Sequence, residues 1–122
     1  MKTILCFGDS NTHGTMPMAS LVDSRRFPLE ARWPTLMAKE LGPDYHIIAE
    51  GHPGRTTVHP DPIEGEHKSA MGVLLALLES HAPLDLVLIM LGTNDLKARF
   101  SVSAFEIAEG TARLASIVAT SS

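Results

Sequence analysis

Apolar and polar stretches alternate along the chain in a way that predicts six elements. Thr3 to Phe7 is a short, partly β-branched apolar run ending at Gly8, the pattern of a buried strand feeding a tight turn. Arg32 to Leu41 reads as a helix, with Pro34 near its first turn and Gly42-Pro43 as its stop. Tyr45 to Ala49 predicts a second strand. Between Ser69 and His81 the residues Met71, Leu74, Leu75 and Leu78 recur at three- and four-residue spacing, which predicts an amphipathic helix ended by Pro83. Asp85 to Leu91 shows no alternation, as expected of a strand buried on both faces. Ser103 and Glu106 have capping-box spacing, and Phe105, Ala108, Ala112, Ala115 and Val118 supply the apolar face of a last helix.

The resulting order, β-α-β-α-β-α, predicts an α/β fold with a parallel sheet and right-handed crossovers. Such sheets bind ligands at the carboxyl ends of their strands. Three polar clusters follow the three predicted strands directly: Gly8 to Thr12, Gly51 to Thr57 and Gly92 to Asp95. They are expected to meet at one crevice. The stretch from Gly51 to Gly65 is rich in proline and glycine, and it is expected to be a long surface loop that shapes a pocket.

Composition narrows the partners. With 122 residues the chain has room for one domain, 1–122, without repeats or linkers. A net charge of −4 argues against nucleic acid or an anionic membrane and favours small-molecule ligands. Homo-oligomers remain compatible with it. The apolar run after Lys2 is too short for a signal-peptide core or a membrane span, so a cytoplasmic location is expected. Cys6 lies inside that run, as a buried reduced thiol would.

The first polar cluster places Ser10 just past a strand, on a glycine turn, where the N–H groups of a following helical turn point outward. This suits a nucleophile, although Asp9, Ser10 and Thr12 could equally do no more than cap a helix. An ester hydrolase also needs fixed donors for an oxyanion. Gly54 has no side chain to screen its N–H, Asn94 carries a neutral amide, and Ser10 has its own N–H. Taken singly, Gly54 and Asn94 are also ordinary turn residues.

Together these segments resemble the sequence blocks of the SGNH (GDSL-type) serine hydrolases. Ile4-Leu5-Cys6-Phe7-Gly8-Asp9-Ser10-Asn11-Thr12-His13-Gly14 is similar to the first block, Glu50-Gly51-His52-Pro53-Gly54-Arg55-Thr56-Thr57 to the second, and Leu91-Gly92-Thr93-Asn94-Asp95 to the third. Arg32-Trp33 and Pro83-Leu84-Asp85-Leu86-Val87 resemble the arylesterase and acyltransferase branch. The resemblance implies a flavodoxin-like three-layer α/β/α fold with a five-strand sheet, of which this chain holds the first three strands. It further implies Ser10 as nucleophile and an oxyanion hole of Ser10 N–H, Gly54 N–H and the Asn94 side chain, acting on small acyl esters without a cofactor. Asp9 is expected to stabilise the turn, while Asn11, His13, Arg55 and Asp95 are expected to line or support the pocket, with a surface role equally open for Arg55.

The family's fourth block, Asp-x-x-His, occurs nowhere in the chain. A serine without an imidazole in reach is a poor nucleophile near neutral pH. Glu64-Gly65-Glu66-His67 has carboxylate-x-x-His spacing, but it lies after the second strand rather than late in the fold. His52, His59, His67 and Asp61 match no compact metal-ligand spacing, so no metal is expected. The uniformly apolar Leu86 to Leu91 should lie inside a sheet, beside a fourth strand that the chain lacks. A missing C-terminal segment or a second polypeptide is therefore expected to supply the remaining strands and the base. The rival readings are a non-catalytic binding or assembly module and a phosphate or nucleotide binder, the latter without a glycine-rich phosphate motif.

Overall fold

A computed structural model describes residues 1–121 as two compact units. The first comprises Met1–Pro53 and Leu84–Met90, and the second Gly54–Pro83 and the residues from Leu91 onward. No helix among the described residues is long and apolar enough to cross a membrane.

The first unit is built on a three-stranded parallel sheet. Strand β1 (Lys2–Gly8) is central, with β2 (Tyr45–Gly51) on one side and β3 (Leu86–Met90) on the other. Leu5 stands opposite Ile48 and Val87, and Gly8 opposite Gly51 and Met90, so all three strands finish at the same end of the sheet. Ile4, Leu5, Cys6 and Phe7 are buried in succession, as a strand flanked on both sides and covered on both faces requires. Phe7 and Leu5 are fully buried, a contribution of about 1.5–3 kcal/mol each from apolar burial. After β1 comes the single helical turn α1 (Ser10–His13), and α2 (Trp33–Leu41) packs against β2. Trp33 donates its indole N–H to the Thr12 hydroxyl, which ties the start of α2 to α1.

The expectation that the third strand is buried on both faces is not met. Leu86 and Met90 are 49% and 43% exposed, and Val87, Leu88 and Ile89 are half-buried. The cause is position, since β3 is an edge and no described strand pairs with its outer side.

The second unit holds α3 (Leu74–His81) and α4 (Ala104–Thr120), which pack together through a core that includes Leu74, Leu78 and Leu114. Ser103 caps α4 by accepting the Glu106 N–H, as the capping-box spacing predicts. The helix predicted from Ser69 begins only at Leu74. Ala70 and Met71 give their N–H groups to the carbonyls of Thr56 and Thr57 instead, so a short 3-10 turn replaces the first helical turn.

Candidate active site

The eight residues singled out by sequence fall into two groups, one in each unit. In the first unit α1 begins at Ser10, immediately past the end of β1. Asp9 is 2% exposed and caps the turn by accepting the Asn11 N–H, while its carbonyl accepts from Thr12 and His13. The Ser10 hydroxyl and the Ser10 N–H have no hydrogen-bond partner among the described residues. The strand ends approach α1 closely. A Cβ at Gly51 would run into the His13 N–H, so only glycine lets β2 finish beside the turn that carries Ser10. Asn11 is exposed on the same turn.

His13 closes α1, with its Nδ1 3.3 Å from the Gly51 carbonyl oxygen. Partial burial, and then the positive charges of Arg26 and Arg32, hold its imidazole below the usual histidine range and so favour the neutral form. Cys6, one strand position from the Phe7-Gly8 turn, is fully buried, and desolvation pushes its thiol up to about 11.

In the second unit the turn after β3 and the loop from Gly54 are bound to each other. Asn94 donates its Nδ2–H to the Arg55 carbonyl at 3.1 Å, which uses one of its two amide hydrogens and leaves the other available. Gly54 adopts φ +79°, a left-handed conformation suited to glycine, and its N–H has no partner among the described residues. Asp95 is 1% exposed and lies directly beside Asn94 in the chain. One of its carboxylate oxygens accepts the Thr57 N–H at 3.0 Å and the other accepts the Thr57 hydroxyl. Asp95 thus makes a double hydrogen bond to Thr57 within the unit. Arg55 is 5% exposed, which removes the surface role left open for it.

Sequence reasoning missed a charged network in this unit. Asp61 is buried and accepts the N–H groups of Ile63 and Glu64, while Arg99 reaches it at 3.1 Å through Nε. Glu64, weighed as partner to His67 in an internal base, is instead held at 2.8 Å by Lys97 and at 2.7 Å by Arg99. The Lys97 hydrogen bond above all, and then the charges of Lys97 and Lys68, hold its carboxyl below the usual carboxylate range. A separation of over thirty residues between these partners leaves no local sequence signal.

Residues 6–121 match the family model of the GDSL-like lipase/acylhydrolases. The chain belongs to that family. Among solved structures it is similar to a carbohydrate acetylesterase from Sinorhizobium meliloti, with 45% identity over 98% of this chain and a TM-score of 0.94. The native aryl esterase of M. smegmatis gives 43% identity over 100% of the chain and a TM-score of 0.96. A more distant likeness to AlinE4, an SGNH-hydrolase family esterase, has 23% identity and a TM-score of 0.66 and bears on the fold alone. The chain spans 55% and 56% of the length of the first two structures, about half of each. No curated protein gave a significant match. Membership of the GDSL-like family and these likenesses establish the α/β fold expected from the strand and helix order.

Proposed function

We propose that this chain carries the nucleophile and the oxyanion donors of a serine esterase, or acyltransferase, acting on small acyl esters. The supporting observation is a set of open groups at the family's motif positions. The Ser10 hydroxyl, the N–H groups of Ser10 and Gly54, and one Asn94 amide hydrogen have no acceptor or donor among the described residues. Groups left open in this way are available to a substrate.

In this reading Ser10 Oγ attacks the ester carbonyl. The developing oxyanion takes hydrogen bonds from the Ser10 and Gly54 N–H groups and the Asn94 side chain, and the alcohol leaves. Water or a second alcohol then releases the acyl group from Ser10. The general base comes from a segment or second polypeptide outside residues 1–122, whose strand would also cover the open edge of β3. The Sinorhizobium protein is named a carbohydrate acetylesterase, which favours a short acyl group here too, and the M. smegmatis protein is named an aryl esterase.

Steady-state hydrolysis of 4-nitrophenyl acetate by the native protein tests this. Asn94→Ala should lower kcat by about 10²–10³ with little change in KM, as loss of one oxyanion donor does. An unchanged kcat would remove Asn94 from the hole. If Ser10→Ala and the parent both show only background hydrolysis, the chain is a non-catalytic module instead.

A further inference from the structure

The end of α1 gathers positive charge in a chain whose net charge is −4. Arg26 donates its Nε–H to the His13 carbonyl at 2.7 Å, and its backbone bridges that of Thr15. Arg32 donates its Nε–H to the Phe27 carbonyl at 2.9 Å, and the Phe27 N–H in turn bonds the Gly14 carbonyl at 2.7 Å. The Arg32 stem crosses Gly14 so closely that a Cβ there would stand 2.7 Å from its Cγ. Each guanidinium is thus fixed by one N–H to the backbone, Arg26 at His13 and Arg32 at Phe27, on two segments that the Phe27–Gly14 hydrogen bond joins.

Neither has a carboxylate partner among the described residues, and their terminal NH₂ groups have no protein acceptor. Arg25 shows the contrast. Asp23 grips it through Nε at 3.0 Å and Nη2 at 2.8 Å, so the sequence supplies a counter-ion to Arg25 and none to its neighbour. Arg26 and Arg32 are close enough to act on each other electrostatically. Like charges held together at a fixed place carry a repulsion that a bound anion relieves. The planar guanidinium fork matches carboxylate and phosphate oxygens. Ser10 is three residues from His13, about 4.5 Å along the helix axis.

We propose that Arg26 and Arg32 form a subsite for an anionic oxygen group, carboxylate or phosphate, carried by the acyl or alcohol part of the ester that Ser10 attacks. Only the ester part of this inference rests on the reading of Ser10 as nucleophile.

The test is NMR observation of the arginine Nε–H signals during titration with monomethyl succinate at constant ionic strength, with dimethyl succinate as the neutral counterpart. The Arg26 and Arg32 signals should shift saturably with the monoester, inorganic phosphate should compete, and the diester should leave them unmoved. Arg26→Gln, at an exposed position, should weaken binding about tenfold, the effect of losing one charge-assisted contact. Arg32→Lys keeps the stem and the charge but loses the fork, and it should also weaken binding. Arg25→Gln should not. Absence of a saturable shift, equal shifts with the diester, or equal weakening in Arg25→Gln would overturn the subsite. Ser10→Ala should retain the shifts, so failure of the nucleophile reading would show in activity and failure of the subsite in these signals.

Discussion

The buried carboxylate of Asp95 is joined twice to Thr57, through the backbone N–H at 3.0 Å and through the side-chain hydroxyl. Both oxygens are therefore occupied, and the turn carrying Asn94 is pinned to the loop that begins at Gly54. The adjacent Asn94–Arg55 hydrogen bond at 3.1 Å reinforces the same junction.

Asp95→Asn puts an amide NH₂ where one of two donors now finds an acceptor. A buried donor left unsatisfied costs about 1–3 kcal/mol, so thermal unfolding of this variant should begin several degrees earlier. Thr57→Ser keeps both hydrogen bonds and should stay close to the parent. An Asp95→Asn protein as stable as the parent would show that this junction does not hold the loops.

Cys6 should resist alkylation while the chain is folded. Its thiol is fully buried and its pKa is raised to about 11 by desolvation, so the reactive thiolate is scarce and inaccessible near neutral pH. Iodoacetamide incorporation, followed by mass spectrometry across a urea series, should track global unfolding. Rapid modification in the absence of urea would contradict the burial of β1.

His13 gives stability a dependence on pH. Its folded pKa is lowered by burial and then by Arg26, so the unfolded chain binds the proton more tightly. Its contribution is complete above the ordinary histidine value and is lost as pH falls through that value toward the lower folded one. Urea unfolding at about pH 7.5 and about pH 5.5 should show a larger loss for the parent than for His13→Gln. Equal losses would indicate that other groups set the slope.

Hydrogen exchange should separate the strands. Amides of β1 are paired on both sides, whereas alternate amides of β3 face the open edge. In residues 1–122 alone the outward β3 amides should exchange far faster than those of β1. Uniform protection across β3 would mean that its edge is covered.

Much of this architecture is legible in local patterns. Three apolar runs, each closed by glycine and polar residues, locate the strands and the turns carrying Ser10 and Asn94, because strand burial and turn chemistry are written in neighbouring residues. What depends on distant partners is not. The run Leu86 to Leu91 has the composition of an interior strand, but its burial depends on a neighbour beyond its own sequence. Ala70 and Met71 fit a helix, yet the carbonyls of Thr56 and Thr57 draw their N–H groups away. The pairing of Asp61 and Glu64 with Lys97 and Arg99 joins residues over thirty positions apart, beyond any helical or strand period.

Covalent labelling bears most directly on the role of Ser10. The native protein, isolated with whatever segment or polypeptide accompanies residues 1–122, should be modified by a fluorophosphonate on the Ser10 peptide, and Ser10→Ala should abolish the label. Modification of a different serine, or none under conditions where the native protein hydrolyses 4-nitrophenyl acetate, would contradict the assignment of the nucleophile.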